Sequence, residues 1–201
     1  MLSLIEFLHS RLVFGLRARV LSASLATHIP AGSKVLDVGC GNGIIAHLIQ
    51  KINPTVSFQG LEVNLRPSCL IQCAAYDGAT IPLSSSCVDV CMFVDVLHHT
   101  VNIEGLLKEA QRVTSRYVLI KDHLCETKFD KYILSFMDWI GNRPYGVHLP
   151  YNYQSKQDWR RYVFVCGLGE VSWNENLPLY PFPFNHLFGR NLHFVALLEK
   201  S

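Results

Sequence analysis

The sharpest chemical signal is the run Val35-Leu36-Asp37-Val38-Gly39-Cys40-Gly41-Asn42-Gly43. Glycines at 39, 41 and 43 let a backbone turn with positive φ and approach a ligand closely. A glycine-rich turn alone is weak evidence, because many domains have one. Two acids sharpen it. Asp37 stands just before the turn, and Glu62 follows 23 residues after Gly39, about where a ribose-binding carboxylate belongs. Histidines at 98, 99 and 123 are a second set of candidates, because imidazole takes up protons near neutral pH. His123 is the first choice for a base, since the neighbouring Asp122 would orient it.

Asp37 also discriminates between ligands. A dinucleotide would lay its pyrophosphate on the loop and the helix N-terminus behind it. A carboxylate there repels that group in a partly desolvated site. S-adenosylmethionine carries an ammonium and a sulfonium and no phosphate, so an acidic loop favours the methyl donor over NAD. An NAD(P)-dependent oxidoreductase and a non-catalytic binding protein are the alternatives to be tested.

The seven cysteines are an odd number, and the first twenty residues, with charges inside their apolar stretch, read as mature protein rather than a signal peptide. Reduced thiols in a cytoplasmic compartment are expected. Cys69 with Cys73, and Cys87 with Cys91, have spacings that invite a zinc reading. Cys87 and Cys91 bracket a strand-like Val88-Asp89-Val90, which holds them too far apart to chelate together. A metal on Asp95 and Asp122 is likewise not expected, and the metal assignment is none.

These residues need elements to position them. Apolar residues at helical spacing predict a helix over 3–28, stopped by Pro30 and Gly32. Strands are predicted at 34–38, 56–62, 88–94 and 117–121, with helices over 44–52 and 103–113 between them. That alternation means a parallel α/β sheet. A helix is expected over 127–140 and another behind the capping pattern Ser155-Lys156-Gln157-Asp158. Further strands at 170–173 and 192–198 close the chain, the last without a crossover helix and so antiparallel.

The chain is 201 residues, 49% apolar and 17% charged, with net charge +2. That suits one domain with a sizeable core and excludes a disordered chain. Such a balance advertises no polyanion partner. No apolar run reaches the roughly 18 residues of a membrane span. Arg11, Arg17, Arg19, Arg160 and Arg161 read as solvated helix faces.

The motif Val35–Gly43 resembles the first motif of class I S-adenosylmethionine-dependent methyltransferases, of the type 11 kind. Tyr76-Asp77-Gly78-Ala79-Thr80-Ile81-Pro82-Leu83 resembles the stretch where that family's Asp meets the adenine amino group. Val88-Asp89-Val90 through Asp95-Val96-Leu97-His98-His99 resembles its fourth strand and following loop, and Leu107–Val113 its next helix. The resemblance covers about 33–122. It departs at Thr114-Ser115-Arg116, a short turn where many relatives carry Pro-Gly.

The resemblance implies a Rossmann-like seven-stranded sheet, mostly parallel with an antiparallel last strand and helices on both faces. The organisation is then one domain: an N-terminal helical cap over 1–30, a cofactor core over 33–122, and a substrate-recognition part over 123–201. It implies S-adenosyl-L-methionine as cofactor, held by Asp37, Gly39, Cys40, Gly41, Asn42, Glu62, Val63, Asp77, Gly78 and Asp95. Methyl transfer is a direct displacement that rests on alignment, with a histidine base where the nucleophile starts protonated.

The acceptor is expected to be a small molecule, methylated at oxygen or carbon. The Asn/Asp-Pro-Pro-aromatic motif of methylases acting on DNA bases or glutamine is missing after the fourth strand, where Asp95 is followed by Val96-Leu97-His98. Nucleic acid is therefore not expected. Aromatics crowd the back third, so an apolar or aromatic acceptor is expected, with Asn142, Arg143, His148, Tyr151 and Tyr153 as candidate contacts. A membrane quinone is one such acceptor. The first helix would close over the site and could touch a membrane surface, although it lacks a dense basic face.

Overall fold

The computed structural model describes residues 14–142, 149–180, 189 and 191–201. The chain runs α1 (Phe14–Ala26), β1 (Lys34–Val38), α2 (Ile44–Ile52), β2 (Ser57–Glu62), β3 (Gln72–Ala75), β4 (Val88–Val94), a 3-10 turn at Leu97–His99, α3 (Ile103–Val113), β5 (Thr114–His123), α4 (Lys128–Asn142), α5 (Lys156–Val165), β6 (Leu168–Asn174) and β7 (His193–Lys200).

The strands form one seven-stranded sheet in the order β3-β2-β1-β4-β5-β7-β6. The pairs from β3 to β5 are parallel, and β7 runs antiparallel to both β5 and β6. The expected fold class is therefore observed, including the antiparallel last strand. Successive strand residues point to opposite faces, and both faces are covered. On β5, Val118 and Ile120 pack into one core while Leu119 packs into the other. On β4, Phe93 faces the first core and Met92 the second. Each fully buried Leu, Phe or Met contributes about 1.5–3 kcal/mol.

Two local differences from the sequence reading have physical causes. Strand β3, Gln-Cys-Ala-Ala, carries no apolar run because it is a short edge strand, largely exposed. Strand β5 begins at Thr114 rather than after a turn, since Thr114 already has extended backbone as it leaves α3 and pairs with Val88. The capping pattern before α5 is realised: Ser155 Oγ accepts from Asp158 N at 3.1 Å. Residues 1–13 of the expected first helix lie outside the described residues.

Helix α1 places Leu21 and Leu25 in the core. Arg17 lies one and two turns before them, so helical spacing puts it on the same face. It is not a solvated arginine, as expected from sequence, but donates to Asp95 Oδ2 at 2.5 Å. Arg19, Arg160 and Arg161 are exposed. No helix of the described residues is long and apolar enough to cross a membrane.

Candidate active site

In a parallel sheet, ligands bind beyond the carboxyl ends of the strands, at the point where strand order reverses. Here that point lies between β1 and β4. Gly39, Gly41 and Gly43 have φ of 72°, 59° and 72°, a region that side chains disfavour. At Gly39 there is also no room: an added Cβ would stand 2.5 Å from Val96 Cγ2. Gly39 N and Cys40 N donate to Leu61 O, at 2.8 and 3.1 Å. The loop is thus stitched to the end of β2.

Glu62 completes the stitch. Its Oε2 accepts from Gly41 N at 2.7 Å, and its Oε1 from Val63 N and Asn64 N at 3.0 and 3.3 Å. Asp37 is buried beneath the loop. Burial and the neighbouring Glu62 push its carboxyl up to about 7. Asn42 Oδ1 accepts from Ile44 N at the start of α2. Asp77 Oδ1 accepts from Ala79 N and Thr80 N at 2.8 and 2.7 Å, which holds it below the usual carboxylate range. Gly78, φ 82°, leaves clearance for Val63: an added Cβ would lie 3.2 Å from its Cγ2. So Asp37, Gly39, Cys40, Gly41, Asn42, Glu62, Val63, Asp77 and Gly78 gather at the ends of β1, β2 and β3.

Asp95, the tenth expected cofactor residue, belongs to a different assembly. It ends β4 with φ 57°, and its N donates to Lys121 O at 2.9 Å. Its carboxylate binds Arg17 from α1 and Lys121 from β5. Burial opposes that charge, but Lys121 and Arg17 hold the carboxyl far below its usual range. Asp95 therefore enters the site as an ion-paired group rather than a free acid. Lys121 Nζ also lies 3.3 Å from His193 Nδ1 on β7.

The three histidines meet beside it. His98 and His99 have ring centroids 4.0 Å apart, and His98 and His123 have theirs at 4.6 Å. Asp122 clasps His98 more tightly than the expected His123: Oδ1 lies 2.6 Å from His98 Nδ1 but 3.3 Å from His123 Nδ1. The reason is the strand geometry. Asp122 points into the sheet's interior, toward the turn after β4, where its Oδ2 also accepts from Leu97 N at 3.0 Å.

Burial disfavours charge on His98, but Asp122 and Asp138 outweigh it and raise its pKa to about 10. That direction makes His98 the least suited of the three to act as a base. Burial, helped by His98, lowers His99 to about 4. Burial and Lys121 lower His123. Both are neutral at pH 7.

Helix α4 supplies Asp138, whose Oδ2 lies 3.3 Å from His98 Nε2. Tyr153 donates to the same oxygen at 2.6 Å and stacks on His98 with centroids 5.4 Å apart. The segment 149–154 is pinned here by backbone bonds: Asn152 N to His98 O at 3.3 Å and Cys125 N to Gln154 O at 3.0 Å. Tyr151 lies 6.4 Å from Tyr153, ring to ring. Of the expected acceptor contacts, Tyr153 lies against His98 and Tyr151 lies beside Tyr153. Asn142 lies at the end of α4, with no description of its side chain, and Arg143 and His148 lie outside the described residues.

Sequence reasoning missed Arg17, Lys121, Asp138 and His193. Only the helical spacing of Arg17 with Leu21 and Leu25 was a usable signal. It also missed that Cys69 and Cys73 are joined by Cys40 of the glycine loop, with Cys40 Sγ 3.3 Å from Cys73 Sγ. Cys87, just before β4, is exposed, and Cys91 within it is buried.

A family profile described as "Methyltransferase domain" matches residues 9–168. No curated protein matches the chain. Solved structures of similar fold include the PH0226 protein from Pyrococcus horikoshii, 13% identical, covering 94% of this chain and 91% of its own, with TM-score 0.70. A S-adenosylmethionine-dependent methyltransferase from Mesorhizobium loti is 14% identical and covers 92% of this chain and 100% of its own, with TM-score 0.67. A chain from the Haloferax volcanii complex that contains the Trm112 methyltransferase activator is 12% identical, covering 100% and 99%, with TM-score 0.69. At these identities the likeness is one of fold.

Proposed function

The chain belongs to the methyltransferase-domain family, and from that premise we propose that it binds S-adenosylmethionine and transfers the methyl group to oxygen or carbon of a small, apolar or aromatic acceptor. One observation carries this reading: a glycine loop closed by Glu62 over a buried Asp37, at the strand-order reversal. Glu62 offers a carboxylate to the ribose hydroxyls, and Asp77 with Gly78 flanks the adenine. Asp37 and the loop backbone receive the methionine part, whose cationic groups an acid favours and a pyrophosphate would not. Family membership and this acid both count against the dinucleotide alternative.

Supplied with the donor, the protein's own task is alignment and exclusion of water. The acceptor is placed between the donor and the cluster of His98, His99, His123 and Tyr153. His123, packed between Asp95, Asp122 and His98, takes the acceptor's proton when the nucleophile is a hydroxyl. The apolar character of the acceptor is supported by α4, whose Phe129, Tyr132, Phe136 and Trp139 form an exposed stripe at helical spacing on the helix that carries Asp138. Seven free thiols suit a cytoplasmic setting.

Calorimetric titration with S-adenosylhomocysteine and, separately, NADH tests the donor reading. The expected result is micromolar binding of the first alone. Binding of NADH alone would overturn it. Binding of S-adenosylhomocysteine with no turnover on any acceptor would return the non-catalytic alternative.

A further inference from the structure

We propose that His98, His99 and Asp138 form a metal site that takes one divalent cation of the Zn²⁺ or Fe²⁺ type. One ring nitrogen of His98, one of His99 and a carboxylate oxygen of Asp138 all lie within 4.8 Å of one another, and His98 Nε2 stands 3.3 Å from Asp138 Oδ2. Two buried ring nitrogens, His98 Nε2 and His99 Nδ1, make no hydrogen bond among the described residues. A buried polar atom left unsatisfied costs about 1–3 kcal/mol, so two side by side need a reason. A proton on His98 accounts for only one of them. It ties Nε2 to Asp138, 3.3 Å away, and leaves His99 Nδ1 without a hydrogen-bond partner among the described residues. A divalent cation takes both lone pairs and the carboxylate at once.

The surroundings are those of a ligand set held for that purpose. A metal-bound imidazole needs its other nitrogen fixed as a donor, and a carboxylate is a common partner. Asp122 Oδ1 stands 2.6 Å from His98 Nδ1 and so leaves Nε2, 3.3 Å from Asp138, as the ligating nitrogen. Tyr153 donates to Asp138 Oδ2 at 2.6 Å and fixes the carboxylate. The neighbouring group of His98, Asp122 and His123 is a weaker alternative, because the bond from His98 Nδ1 to Asp122 consumes its own donor atoms. Two imidazoles and one carboxylate suit Zn²⁺ or Fe²⁺ better than the harder Mg²⁺ or Ca²⁺. Three protein ligands leave coordination positions open.

The open positions name an acceptor class. On the methyl-transfer reading above, the acceptor is a molecule that ligates through a hydroxyl or enol oxygen. A bound cation lowers the pKa of such a hydroxyl. The O–H proton passes to His123. The oxygen's electron pair then forms the O–CH₃ bond as the CH₃–S bond breaks, and the sulfonium leaves as neutral S-adenosylhomocysteine. This revises the sequence expectation of no metal.

The test is a Co²⁺ titration of the chelator-stripped full-length protein, followed by visible absorption and metal analysis. One Co²⁺ per chain is expected, with d–d bands of a nitrogen and oxygen site. His99→Ala and Asp138→Asn should each abolish that binding, and Asp122→Asn should weaken it about 10–100-fold. S-adenosylhomocysteine binding is measured on every variant. Its retention shows an intact fold and keeps the donor reading separate from the metal result. Wild-type protein that binds S-adenosylhomocysteine but no Co²⁺, or variants that bind Co²⁺ like wild type, would overturn the site. So would an intense sulfur-to-cobalt band, which would place the ion at Cys40, Cys69 and Cys73.

Discussion

On the proposed reading the site has a donor half and an acceptor half, and the two are built by different means. The donor half, at the ends of β1 to β3, is made of backbone. Glycines, main-chain N–H groups and three acids make it, within 42 residues of chain from Asp37 to Gly78. The acceptor half, at the ends of β4, β5 and β7, is made of side chains. Arg17, Asp95, His98, Lys121, Asp122, His123, Asp138, Tyr153 and His193 reach it from α1, the turn after β4, β5, α4, the 149–154 segment and β7. The donor half ends in exposed surface at Val63 and Asp77, whereas Lys121, Asp122 and His98 are wholly buried. A backbone cradle tolerates many neighbours. A buried charge network does not, because each member's cost is offset only by its partners.

The largest expected effect follows from that contrast. Asp122→Ala strips the main partner from the buried His98 and leaves Leu97 N without that acceptor. A loss of about 3–5 kcal/mol is expected in urea unfolding. A loss under 1 kcal/mol would mean the network is wet and loosely held, and the contrast between halves would fail. Gly39→Ala comes next. Positive φ and the contact with Val96 should cost about 1–3 kcal/mol of stability, with loss of S-adenosylhomocysteine binding on calorimetry.

Glu62→Ala should keep the fold and weaken S-adenosylhomocysteine binding by about 1–3 kcal/mol, the scale of a lost charged hydrogen bond. Unchanged binding would remove Glu62 from the donor site. The smallest effects sharpen the donor half rather than break it. Asp37, with a pKa raised to about 7 by burial and Glu62, should make S-adenosylmethionine binding tighter as pH rises through 7. The cationic donor selects the ionised carboxylate, so up to tenfold is gained per unit below that pKa, and Asp37→Asn should flatten the profile. The stability linkage has the opposite sign. A carboxyl raised above its unfolded value stabilises the fold most when protonated, and its contribution is lost as pH rises from about 4 through 7.

The same contrast explains what was legible in the sequence. The donor half was, because the residues that make it are neighbours in the chain and their types are forced by φ and close approach. Gly39, Glu62 and Asp77 could each be named from spacing or resemblance. The sheet was legible too, since buried parallel strands such as Val88–Val94 are nearly continuous in apolar residues. Strand β3 was not, because an exposed edge strand needs no apolar run.

The acceptor half was legible only as single candidates. His98, His99 and His123 stand out by type. That Asp122 turns to His98 rather than His123, and that Asp138 comes back from α4 to meet it, depends on long-range packing. Arg17 was misplaced on a solvated face because helical spacing alone does not say that an arginine among leucines has found a buried acid.

The central claim is that donor and acceptor occupy separate halves. Amide hydrogen exchange with and without saturating S-adenosylhomocysteine tests it most directly. The account predicts new protection at 39–43, 62–64 and 77–80, with 121–123 and 152–154 slow to exchange in both states. Protection centred on 121–123 and 152–154, with none at the glycine loop, would contradict it.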